Sequence, residues 1–108
     1  MNIPRLRRFN QLIVKHVERF GRRDDFKILL EIAAQQETGD PLTLKRLVLC
    51  CSVPESTLKR RLSRLVREGF VHKRMTEEDH RVHCYTVAER TLKQLRSFIV
   101  DIRAFDWR

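Results

Sequence analysis

Residues 43–71, TLKRLVLCCSVPESTLKRRLSRLVREGFV, decide the fold. Thr43 is a residue type that caps helices, and Leu44, Leu47, Val48 and Cys51 then recur at helical spacing. Ser52-Val53 leaves room only for a tight turn. Pro54 suits the first turn of a second helix, because a missing N–H costs nothing there. Leu58, Leu62, Leu65 and Val66 give that helix one apolar stripe, and Gly69 closes it. Two helices joined so closely predict a helix-turn-helix over residues 43–68.

With Leu58 placed at zero and about 100° added per residue, Leu62, Leu65, Val66 and Gly69 fall within about 80° of it. The opposite face centres on Ser56, Arg60, Ser63 and Arg67, flanked by Thr57, Lys59 and Arg64, with Arg61 near the boundary and reaching sideways. The acids of this helix, Glu55 and Glu68, sit at its ends. A face kept only for solubility normally mixes the two signs of charge. Short hydroxyls interleaved with long cations suit close approach to a nucleic-acid groove, and arginine can pair bidentately with guanine there.

Outward from this segment come two β-prone stretches, Phe70–Arg74 and Arg81–Thr86, separated by a polar, acidic tip. They predict a hairpin, or wing, over residues 70–86. Its cations are Lys73, Arg74 and Arg81, with Asp79 placed to orient Arg81 by a charge-assisted bond. An ordinary surface ion pair is the plainer reading of that couple. Upstream, Leu6, Phe9, Ile13, Val17 and Phe20 form one helical stripe that starts near Pro4 and ends at Gly21. A second helix follows, capped by Asp24 or Asp25, with Phe26, Leu29, Leu30 and Ala33 inside. Downstream, Thr86-Val87-Ala88-Glu89 has capping-box spacing and opens a last helix striped by Ala88, Leu92, Leu95, Ile99, Ile102 and Phe105.

From Leu42 to Leu95 the chain resembles the MarR-type transcriptional regulators. Ser56, Thr57, Arg60, Arg64, Leu65, Gly69, Phe70 and Val71 follow that family's recognition helix and strand entry. Asp79 and Arg81 resemble its Asp-x-Arg wing element, and Tyr85-Thr86 stands where the family has Leu-Thr. The resemblance implies double-stranded DNA as partner and a homodimer built through the chain ends. The family's recognition helix lies in the major groove and its wing at the minor groove. Pro54 departs from the family's usual Ser or Asp cap.

Composition agrees with such a protein. The chain has 108 residues, 42% apolar and 34% charged, which suits a single globular domain. Net charge is +9, concentrated in two blocks. Residues 1–23 hold seven Lys/Arg against one acid, and residues 50–74 hold seven against two. Localised basic blocks are the footprint of a polyanion-binding surface, although a solvated basic face produces the same count. No apolar run approaches the roughly 18 residues that cross a bilayer, and residues 1–8 do not read as a signal peptide. A cytoplasmic protein with reduced cysteines is expected.

Cys50, Cys51 and Cys84 read as small hydrophobes, with a thiol switch or soft-metal sensor as the sharper alternative. His72, His80, His83, Cys84 and Asp79 crowd one hairpin without the spacing of a metal site. No phosphate loop, nucleophile elbow or paired carboxylates are present, so neither an enzyme nor a cofactor is expected.

The expectation is therefore one mainly α (α+β) domain, residues 1–108: a winged helix-turn-helix with a two-stranded wing and terminal dimerisation helices, residues 1–23 and 87–108. It predicts a sequence-specific DNA-binding regulator of transcription. Candidate contacts are Ser56, Thr57, Lys59, Arg60, Ser63, Arg64 and Arg67 on the recognition helix, with Thr43, Lys73, Arg74 and Arg81 from the flank and wing. The candidate dimer interface is Leu6, Phe9, Ile13, Leu92, Leu95, Ile99 and Ile102. The alternative is a winged-helix module that binds protein or RNA.

Overall fold

A computed structural model describes residues 1–107. Its elements run α1 (Ile3–Glu18), α2 (Arg23–Glu37), β1 (Leu42–Thr43), α3 (Leu44–Cys50), α4 (Glu55–Arg67), β2 (Val71–Met75), β3 (His83–Val87) and α5 (Glu89–Ala104). This is the expected winged helix with one strand added. The sheet has three strands, in the order β1-β3-β2, all antiparallel. Leu42 pairs with Tyr85 and Thr43 with Cys84, so the entry to the helix-turn-helix is bonded to the wing. Two residues are too few to show an alternation, which is why β1 escapes a reading of sequence periodicity.

Side-chain caps open α1 and α3, whereas α4 follows Pro54 as its capping residue with no side-chain bond. Asn2 Oδ1 accepts from the Arg5 amide at 2.9 Å, and Thr43 Oγ1 accepts from the Arg46 amide at 3.3 Å. The cap of α2 differs from expectation. Arg22 is the capping residue, and Asp25 reaches back from inside the helix to accept its amide at 2.7 Å. The cap of α5 also differs. Thr86 and Val87 continue β3, and Ala88 precedes the helix. The Ala88 amide and Thr91 Oγ1 both donate to the Phe70 carbonyl, each at 2.9 Å, which ties α5 to the start of the wing. Strand pairing thus takes the residues that could otherwise have formed a capping box.

The core is built from α2, α3, α4, the sheet and Leu95 of α5, with Phe20 joining it from just beyond α1. Ile28, Leu29 and Ile32 of α2 face Leu47 of α3, Leu58, Leu62 and Leu65 of α4, and Leu42, Val71, Tyr85 and Val87 of the sheet. The exposed rows of α4 are almost wholly polar, so burial of its leucine stripe fixes which face points outward.

α1 and α5 pack antiparallel. Phe9 meets Phe105 and Trp107 with ring centroids 5.3 and 5.2 Å away. Nearer the core, His16 is buried and stacks on Phe98 at 4.5 Å, with its Nε2 2.7 Å from Asp101 Oδ2. The pair lengthens the molecule to 52 × 26 × 23 Å. Ile3, Leu6, Ile99, Val100 and Trp107 are exposed along it. Leu95, expected at a dimer interface, is buried within the chain, and Phe9, Ile13, Leu92 and Ile102 are half-buried there.

Candidate nucleic-acid interface

α4 presents Ser56, Lys59, Arg60, Ser63 and Arg67 to solvent, with Thr57 half-buried at its first turn. At 13 residues it is about 20 Å long, and a helix of that size fits a major groove about 12 Å wide. Lys59 lies 3.2 Å from Glu55 one turn away, an exposed pair that leaves the ammonium free to exchange partners. Lys73 and Arg74 stand exposed on β2. Between helix and wing runs a cleft of about 420 Å^3, lined by Lys59, Ser63, Arg67 and Lys73 above an apolar floor that includes Leu62, Val66 and Tyr85. Three cations on one concave edge create a positive potential on the side to which Arg60 also points.

The wing tip is held by its own side chains. Thr76 Oγ1 donates to the Asp79 carbonyl at 2.7 Å and accepts from the Asp79 amide at 3.2 Å. Asp79 Oδ1 accepts from the Arg81 amide at 3.0 Å and from Arg81 Nε at 3.3 Å. The expected orienting bond is therefore present, and it leaves the Arg81 side chain 92% exposed. Thr43 is half-buried, and its hydroxyl is occupied in capping α3.

Arg64 stands apart from the rest of the predicted set. Its guanidinium turns inward, where Nη2 donates to the Phe20 carbonyl at 2.5 Å and to Asp25 Oδ2 at 3.1 Å. Arg61 also donates to Asp25 through Nε, at 2.7 Å, and through Nη2. Asp25 is fully buried. Burial alone would raise its carboxyl's pKa, but the Arg61 bond, the Arg22 amide and the charge of Arg64 together hold it below the ordinary value. In the sequence Asp25 points only to a helix cap. Its partners lie 36 and 39 residues away, and no local spacing carries that information.

The remaining candidates are not gathered into a site. Among the described residues, no three His, Cys, Asp or Glu side chains converge to hold a metal ion. Burial, followed by the nearby Glu31, pushes the Cys50 thiol up, and burial does the same for Cys51. Both thiols are therefore neutral at pH 7 and poorly suited to react as thiolates. Among the described residues no helix is long and apolar enough to cross a membrane.

A recognition-type helix, a tight turn before it and a hairpin after it define a winged helix-turn-helix. The fold is that of the MarR-type transcription regulators. The structure of a MepR–DNA complex from S. aureus superposes with a TM-score of 0.80 at 17% identity, covering 94% of this chain and 81% of that one. Overoxidised AbfR bound to DNA gives 0.63 at 24% identity, covering 94% and 73%. A cysteine-to-serine variant of MarR from E. coli, complexed with operator DNA, gives 0.63 at 20% identity, covering 87% and 65%. No protein-family model and no curated protein sequence matches the chain.

Proposed function

We propose that the protein is a sequence-specific regulator of transcription that binds double-stranded DNA as a homodimer. One observation carries this reading: the exposed face of α4 holds hydroxyls and cations with its acids at the ends, and the wing cation Lys73 lines the same cleft as Lys59 and Arg67. A module that binds protein has no need of an acid-poor helix face. The DNA complexes among structures of this fold support the same partner.

In the proposed complex α4 enters the major groove. Arg60 and Arg67 reach base edges, while Ser56, Thr57 and Ser63 permit close approach. Lys59, Lys73 and Arg74 meet phosphates, and Arg81 reaches the adjacent minor groove, whose negative potential favours arginine. Regulation would follow from occupancy of the operator, with no reaction performed on the DNA.

The test is selection of a duplex from a random pool, followed by titration at several salt concentrations. Each neutralised phosphate steepens the plot of log affinity against log salt by about 0.9, so a dimer making six contacts should show a slope near −5. A salt-independent affinity would refute the proposal. In the same assay Arg60→Ala should relax preference at one base position, whereas Lys73→Ala should weaken all sequences alike. An unchanged motif with Arg60→Ala would remove that residue from base reading.

A further inference from the structure

The Asp25 cluster joins the corner between α1 and α2 to the flank of the DNA-facing helix, and its construction is specific. The carboxylate has no exposed surface and accepts from the Arg22 amide, Arg61 and Arg64. Arg64 also takes the Phe20 carbonyl at the end of α1, and its Nη1 pairs with Glu68. Gly21, at φ +124°, makes the space. A β-carbon there would overlap both Arg64 Nη2 and Asp25 Oδ2. Glycine tolerates that backbone conformation where other residues are strained.

Two consequences follow from this geometry. The first concerns rotation. Arg61 and Arg64 are one turn apart on α4 and share one anchor, so the helix cannot turn about its axis without stretching bonds to a buried charge. A rotation of about 10° moves the edge of a helix 10–12 Å across by roughly 1 Å. That is enough to spoil a bidentate contact between Arg60 and a base. The second concerns charge. Asp25 holds two guanidiniums away from the exposed face, where they would otherwise attract phosphate without regard to sequence.

We infer that Asp25 is a positioning residue that sets the ratio of specific to non-specific DNA binding. It does so by fixing the rotation of α4 and by withholding Arg61 and Arg64 from the DNA backbone. The inference rests on the DNA-binding reading above. It adds a determinant of specificity that touches no nucleotide.

The experiment compares the intact protein with Asp25→Asn on the selected duplex and on a scrambled duplex of equal length. Asp25→Asn should bind the selected duplex at least tenfold more weakly and the scrambled duplex as tightly as wild type or more so. Its salt slope on the scrambled duplex should steepen by about one to two, as the freed arginines neutralise phosphates. A purely structural role would weaken both duplexes together and leave that slope alone, and such a result would overturn the inference. So would a specificity ratio within threefold of wild type. Should Asp25→Asn fail to fold, Arg64→Gln retains the Arg61–Asp25 pair. It should lose specific affinity severalfold without losing scrambled-duplex affinity, and parallel losses would overturn the inference. If wild type selects no motif and shows no salt dependence, the DNA-binding reading itself fails.

Discussion

At the scale of the residue, Asp25 shows how a charge is tolerated in a core. Removing a carboxylate from water is costly, and three donor groups offset that cost. Its pKa is lowered on folding, so the stabilisation is fully present above the ordinary aspartate value of about 3.9 and is lost as pH falls through the folded value. Wild type should therefore show a falling urea midpoint below about pH 4. Asp25→Asn should be less stable by about 3 kcal/mol at pH 7, because it leaves Arg61 without its carboxylate and takes one of the partners of Arg64, which keeps the Phe20 carbonyl and Glu68. It should also lose less on acidification. Equal acid limbs in the two proteins would show that other carboxylates dominate the transition.

At the scale of the element, most of the architecture is legible in local spacing. The stripes of α1, α4 and α5 are regular enough to announce the helices, the stripe of α4 also announces its buried face, and Gly69 and the turn at residues 52–53 mark the boundaries. In α2 the inner face is turned from the expected one: Leu30 is exposed, while Ile28 and Ile32 are fully buried. Other errors lie where two local signals compete. Thr86–Glu89 satisfies a capping-box pattern, yet Thr86 and Val87 pair with His72 and Val71 and remain strand. Backbone bonds along a ladder outweigh a single side-chain cap. Asp24 and Asp25 are equal candidates for a cap in the sequence; the structure separates them by the Arg22 amide that Asp25 accepts and by the two distant arginines on its carboxylate. The outward face of α4 was legible because helical geometry alone fixes it. The inward turn of Arg64 was not, because its anchor belongs to another element.

At the scale of the whole molecule, the α1–α5 pair carries more apolar surface than one chain covers. Ile3, Leu6, Ile99 and Val100 remain exposed although Leu95 and Phe98 are already packed within the chain. An exposed apolar surface of this kind suits a two-fold partner, which would set two copies of α4 about one helical turn of DNA apart. Light scattering at micromolar concentration should give twice 13.0 kDa. Leu6→Glu with Ile99→Glu should give 13.0 kDa with the winged helix intact, since neither residue belongs to the buried core. A monomeric wild type would refute the dimer. The short strand β1 matters at this scale for a different reason. Covering one side of β3 leaves fewer bare amides and carbonyls for a stranger chain to zip onto. Loosening Leu42 and Thr43 would open Cys84 and Tyr85 to such pairing, so turbidity on gentle heating should appear before helical signal is lost.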